Sequence, residues 1–118
     1  MAAGVALLLE DEPVIALDIE LTLTEAGFSV IWFTTCSAGL GWLRQNALDV
    51  AIIDMRLQDG ASNPVAALLT ERGIPFVVHS GADILDANSD PEFATGFWLS
   101  KPSRSEDLVA AVIRAVGS

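Results

Sequence analysis

The chain is short of the side chains that most binding and catalysis draw on. Lys101 is its only lysine, His79 its only histidine and Cys36 its only cysteine. A lone cysteine excludes an internal disulfide framework and a multi-cysteine metal site. A lone histidine excludes a histidine–histidine metal site and a catalytic pair of histidines. Six basic residues against sixteen acidic ones give a formal charge of −10. That balance argues against nucleic acid, which needs a basic footprint, and against an anionic membrane surface. No apolar run approaches the length that spans a bilayer. Residues 1–5 (MAAGV) lack the basic region of a secretory signal. A soluble protein of the cytoplasm is the simplest reading.

Apolar material is abundant. Of 118 residues, 52% are hydrophobic, which supplies one domain, residues 1–118, with a sizeable core. The acids are not gathered into one tail, so they do not mark a disordered acidic segment. Val50-Ala51-Ile52-Ile53 runs straight into Asp54. Such a run suits a strand buried on both faces of a parallel sheet. Val5 to Leu9 repeats the pattern and ends in Glu10-Asp11-Glu12. Pro13 then suits a first helical turn. Ile15, Ile19, Leu23 and Ala26 recur at helical spacing, with Val14, Leu17 and Leu21 widening the stripe. Gly27 reads as the helix stop.

Phe28 to Phe33 is β-branched and aromatic and reads as a second strand. Thr34 or Thr35 caps a helix whose face is Cys36, Leu40, Leu43 and Ala47, weakened by Gly39 and Gly41. After Asp54, residues 55–61 read as a loop turning at Asp59-Gly60. Asn63-Pro64 opens a helix through Val65, Leu68, Leu69 and Arg72, and Gly73 closes it. A fourth strand covers Pro75 to Ser80 and a fifth Gly96 to Ser100. Between them Pro91 and scattered acids interrupt any periodicity, so the helix expected there is short or irregular. Ser103 or Ser105 opens the last helix. Strand and helix alternate throughout, which predicts an α/β fold with a parallel sheet and helices on both faces.

The strand ends carry the chemistry. The first ends in Glu10 and Asp11, the third in Asp54, the fourth in Ser80 and the fifth in Lys101. In a doubly wound sheet these ends share the edge where ligands bind. Three adjacent carboxylates repel one another, and a divalent cation relieves that repulsion. Oxygen ligands with waters suit magnesium (Mg2+). An aspartate beside magnesium, a hydroxyl and an ammonium group is a setting for phosphoryl transfer. Asp54 alone would be a helix cap, and Lys101 alone a solvated side chain. Their company favours the reactive reading.

This pattern resembles the receiver domain of two-component response regulators, over essentially the whole chain. Leu8 to Pro13 is similar to that family's acidic motif and Ile52-Ile53-Asp54 to its phosphoacceptor strand. Val77 to Gly81 is similar to its switch strand, and Trp98 to Pro102 to its Lys-Pro signature. The resemblance implies a five-stranded sheet of order 2-1-3-4-5. It implies that Asp54 is phosphorylated, and that Glu10, Asp11, Asp54 and the Arg56 backbone carbonyl hold Mg2+. Ser80 and Lys101 would contact the phosphoryl group. Trp98 would take the aromatic switch position, where core packing is an equal alternative. The Glu-Asp pair, Leu57-Gln58 and Arg72 to Phe76 resemble a branch of short stand-alone receivers.

The implied partners are a sensor histidine kinase or phosphotransfer protein and an unidentified downstream protein. The sequence leaves the oligomeric state open. Two other readings compete. One is a receiver-like binding module that is never phosphorylated. The other is an aspartate-nucleophile phosphohydrolase, which needs an acid two residues after the nucleophile, where this chain has Arg56. His79 reads as a packed or surface residue, and Trp32 and Trp42 read as packing or interface residues.

Overall fold

In the computed structural model, residues 4–81, 91–101 and 103–117 are described. The chain runs β1 (Gly4–Leu9), α1 (Pro13–Glu25), β2 (Phe28–Phe33), α2 (Cys36–Leu43), β3 (Val50–Ile53), β4 (Arg56–Leu57) and β5 (Gly60–Ala61). Then follow α3 (Asn63–Glu71), β6 (Phe76–Ser80), a 3-10 turn (Pro91–Phe93), β7 (Phe97–Ser100) and α4 (Ser105–Gly117). Five strands form one sheet in the order β2-β1-β3-β6-β7, every pair parallel. This is the expected 2-1-3-4-5 order, with β6 and β7 as the fourth and fifth strands. The expected short fourth helix falls mainly on residues 82–90, which lie outside the described residues.

The central strands are apolar on both faces because helices cover both. Successive side chains alternate across the sheet. Leu7, Leu9, Ala51, Ile53 and Val78 face α2 and α3, whereas Ala6, Leu8, Val50, Ile52 and Val77 face α1 and α4. Leu7, Leu8, Ile52 and Ile53 are each 0% exposed. Full burial of such a side chain contributes roughly 1.5–3 kcal/mol. Four buried residues in β3 therefore anchor the strand that carries Asp54.

The stripe read on α1 is wider than the face it buries. Ala16, Ile19, Thr22 and Leu23 point inward, while Val14, Leu17 and Leu21 are 82%, 57% and 55% exposed. A helix lying on one flank of a sheet buries only about a third of its circumference, and these three lie beyond that arc. The α2 face also ends earlier than its spacing implied, because the helix stops at Leu43 and leaves Ala47 outside. Gly39 has a packing reason. A Cβ there would lie 2.8 Å from Leu9 Cδ2, so glycine lets α2 approach β1. Gly27 ends α1 at φ +100°, in the left-handed region that glycine tolerates.

Residues 55–61 are more ordered than a loop. Arg56 pairs with Ala61 and Leu57 with Gly60 in a small antiparallel hairpin. Asp59, in its turn, accepts from the backbone N–H groups of Cys36 (2.7 Å) and Ser37 (3.0 Å). Thr35 Oγ1 accepts from Ala38 N at 3.2 Å. The glycine-weakened helix α2 thus gains caps from two directions.

Candidate functional site

Strand register sets the site. Leu9 lies opposite both Phe33 and Ile53, so Glu10 and Asp54 leave the sheet side by side. Glu10 N donates to Phe33 O (3.2 Å) and Asp54 N to Leu9 O (3.0 Å), which extends the ladder one residue past the strand ends. Val78 pairs with Trp98 and Ser80 with Ser100, so Lys101 emerges on the same edge. It crosses β6 to reach the acids.

Lys101 Nζ lies 2.7 Å from Asp54 Oδ2 and 2.8 Å from Glu10 Oε1. Glu10 is 1% exposed and Asp54 8%. The other Glu10 oxygen, Oε2, accepts from Glu12 N at 3.2 Å. Burial pushes the Glu10 carboxyl up from its ordinary value, and the Asp54 charge adds to that, while Lys101 and the Glu12 N–H pull it down. Burial works against the Lys101 ammonium, but its bonds and charge pairing with Asp54 and Glu10 win, leaving its pKa raised. The lysine is therefore a fixed positive charge wedged between two carboxylates.

Glu10, Asp11 and Asp54 each offer an oxygen, and the three atoms lie within 4.8 Å of one another. Hard oxygen donors at that spacing suit a small divalent cation. The donor set therefore fits the magnesium expected from the sequence.

Three residues without an assigned role in the sequence, Ser62, Trp32 and His79, hold this site together. Ser62 is 0% exposed, and its Oγ donates to Asp54 O at 2.6 Å and contacts Met55 O at 3.2 Å. The Trp32 indole N–H donates to Glu10 O at 2.8 Å. His79, 3% exposed, has Nε2 3.0 Å from Ser103 Oγ. Nothing in a linear pattern marks these contacts, because each depends on where a side chain points once the chain has folded. Ser62 stands just before the Asn63-Pro64 helix start. Its side chain makes no cap bond and serves the Asp54 backbone instead.

Of the other residues singled out, Trp98 is half-buried and meets Phe93 edge-on, with ring centroids 6.1 Å apart. Arg56 is exposed, and its N–H lies 3.4 Å from Asp54 Oδ1. Ser80 closes β6 beside Ser100, but its side chain lies outside the described set.

The comparisons with known proteins decide the family. A crystal structure of a response regulator receiver protein from Sinorhizobium medicae is similar along nearly its whole length. Identity is 31%, coverage is 98% of this chain and 96% of that one, and the TM-score is 0.89. This chain belongs to the response regulator receiver family. Receiver structures from Methanospirillum hungatei (18% identical, TM-score 0.87, covering 96% and 93%) and Clostridium thermocellum (22%, 0.84, 99% and 95%) share its fold. The transcriptional regulatory protein QseB of Haemophilus influenzae is 29% identical over 82 residues, which are 68% of this chain and 37% of that protein. The chain thus spans little more than a third of that relative. No family model matches it.

As a receiver, the chain is a module of two-component signalling, and a histidine kinase is the general kind of partner for such a domain. The cluster of Glu10, Asp11 and Asp54 is typical of the receiver phosphoacceptor site. Among the described residues, no helix is long and apolar enough to cross a membrane.

Proposed function

We propose that the chain works as one receiver domain that takes a phosphoryl group onto Asp54. The donor is the phosphohistidine of a sensor histidine kinase or phosphotransfer protein, or a small phosphodonor. A carboxylate oxygen of Asp54 attacks phosphorus as the donor's nitrogen–phosphorus bond breaks. The electron pair stays on the donor imidazole, which then takes up a proton. Magnesium would be held by Glu10, Asp11, Asp54 and the Arg56 backbone carbonyl, and it supplies positive charge beside the phosphoryl oxygens. Lys101 already touches Asp54, so its ammonium can pass to a phosphoryl oxygen with little movement. Ser80 donates from the neighbouring strand end. Trp98 follows if Ser80 draws its loop inward, and the output is a shift between two conformations that a downstream protein reads.

The observation that supports this reading best is the bridge from the sole lysine to Asp54 and Glu10, with Asp11 in ligand range. A cap would use Asp54 on a helix N-terminus. That task belongs to Asp59 here. A phosphohydrolase would need an acid at position 56, which holds an exposed arginine.

The test is acetyl phosphate with magnesium, read by intact mass. One phosphoryl adduct is expected in the wild type and none in Asp54→Asn. An unmodified wild type, under conditions that label another receiver, would favour a binding module that is not phosphorylated.

A further inference from the structure

His79 is the only histidine and sits 3% exposed on β6, in the wall of a cleft of ≈ 580 Å³ beside the acidic cluster. Val14, Ile15 and Ile19 of α1 form the apolar side of the cleft, and Glu12, Asp18, Lys101 and Ser103 share its polar side with the imidazole. Burial, with the Lys101 charge second, pushes the imidazole down to about 4, so it is neutral near pH 7. A neutral imidazole has one N–H and one lone pair. Nε2 pairs with Ser103 Oγ at 3.0 Å, whereas Nδ1 is buried with no partner among the described residues. A leucine would fill this place with no orphaned nitrogen. The histidine is therefore a poor choice for packing alone. What it adds is one bond, and that bond reaches a particular segment. Ser103 lies two residues after Lys101, so the bond ties the end of β6 to the stretch that carries the only ammonium group.

We propose that His79 is a positioning residue, whose bond to Ser103 holds the Lys101 segment so that the ammonium stays on Asp54 and Glu10. The consequence for phosphorylation rests on the function proposed above. The consequence for Lys101 does not.

The test uses the full chain labelled with 15N at lysine. A single lysine gives a single ammonium signal, and its proton exchange with water reports how often Lys101 leaves its carboxylates. His79→Leu removes both the bond and the orphaned nitrogen. Its exchange should rise roughly five-fold, the effect of losing one neutral hydrogen bond. Ser103→Ala should give the same rise from the other side of the bond, and the double variant should add nothing further. His79→Gln, which places an amide nitrogen near the position of Nε2, should restore slow exchange. Phosphorylation by acetyl phosphate should follow the same order across the variants. Unchanged exchange in folded His79→Leu, or in Ser103→Ala if the first does not fold, would overturn the proposal. So would a response to His79→Leu that Ser103→Ala does not share. If exchange responds while even the wild type takes no phosphoryl group, the positioning role stands and the proposed function fails.

Discussion

The two halves of the site are built differently. On the β1/β3 side, the backbone around the acids is tied at every step. Glu10 is held through its N–H by Phe33 and through its carbonyl by Trp32, and Asp54 through its N–H by Leu9 and its carbonyl by Ser62. The β4/β5 hairpin and its bonds to α2 close the far side. On the β6/β7 side, the ladder ends at Ser80 and Ser100, and beyond it Lys101 reaches the site through its own two ion pairs, with a side-chain bond from His79 to Ser103 beside it. The carboxylates are preset, and the cation is held mainly by what it touches. In a phosphoacceptor that arrangement has a use. On the proposed function, the oxygens that would hold magnesium need fixed spacing, while the ammonium would move from a carboxylate to a phosphoryl oxygen.

Acid should break the cationic half first. The His79 pKa lies near 4 in the folded chain and at 6.5 in the unfolded one. Between those values the unfolded chain binds a proton that the folded chain refuses. Stability therefore falls as pH drops through that window, by about 3 kcal/mol in all. Burial and Lys101 depress this pKa, and Asp54 and Asp18 oppose them. Glu10, with a raised pKa, acts in the other sense and gains stability as pH falls. Denaturant unfolding from pH 7 to pH 4 should show the difference between wild type and His79→Leu growing in favour of the variant. Parallel curves would mean that the imidazole is not buried neutral.

The acidic half should yield to Ser62→Ala. The hydroxyl is fully buried and serves Asp54 O, so its loss should cost about 2 kcal/mol. Unlike the His79 variants, it should lower stability and phosphorylation together. A drop in phosphorylation at unchanged stability would place Ser62 in the chemistry and spoil the contrast between the halves. The smallest effect is expected from Trp32→Phe, which frees the Glu10 carbonyl at a cost of about 1 kcal/mol. It should also remove most of the tryptophan fluorescence response to magnesium. A full response in that variant would assign the signal to Trp98 or Trp42.

Much of this was legible in the sequence because parallel sheets impose simple rules. Apolar runs such as Leu7 to Leu9 and Val50 to Ile53 suit buried strands, and in a parallel sheet the ends of such strands share an edge. Glu10, Asp54 and Lys101 therefore met as expected. The bonds from Ser62, Trp32 and His79 were not legible, since each depends on side-chain direction, in Ser62 back across the hairpin to Asp54 and in Trp32 and His79 to other segments of the chain. The exposed Val14, Leu17 and Leu21 show a second limit. Periodicity reveals that a helix has an apolar stripe but not how much of it a neighbour covers. The hairpin at residues 56–61 was hidden because two-residue strands carry no period.

Asp54 and Asp59 frame the central claim. Five residues apart, one caps a helix and the other faces the lysine. The direct measurement is reduction of the acetyl-phosphate-treated protein with borohydride, which converts an aspartyl phosphate to homoserine, followed by fragment mass analysis. Homoserine at position 54, and only there, is the predicted result. Homoserine at Asp11 or Asp59, with position 54 unchanged, would contradict it.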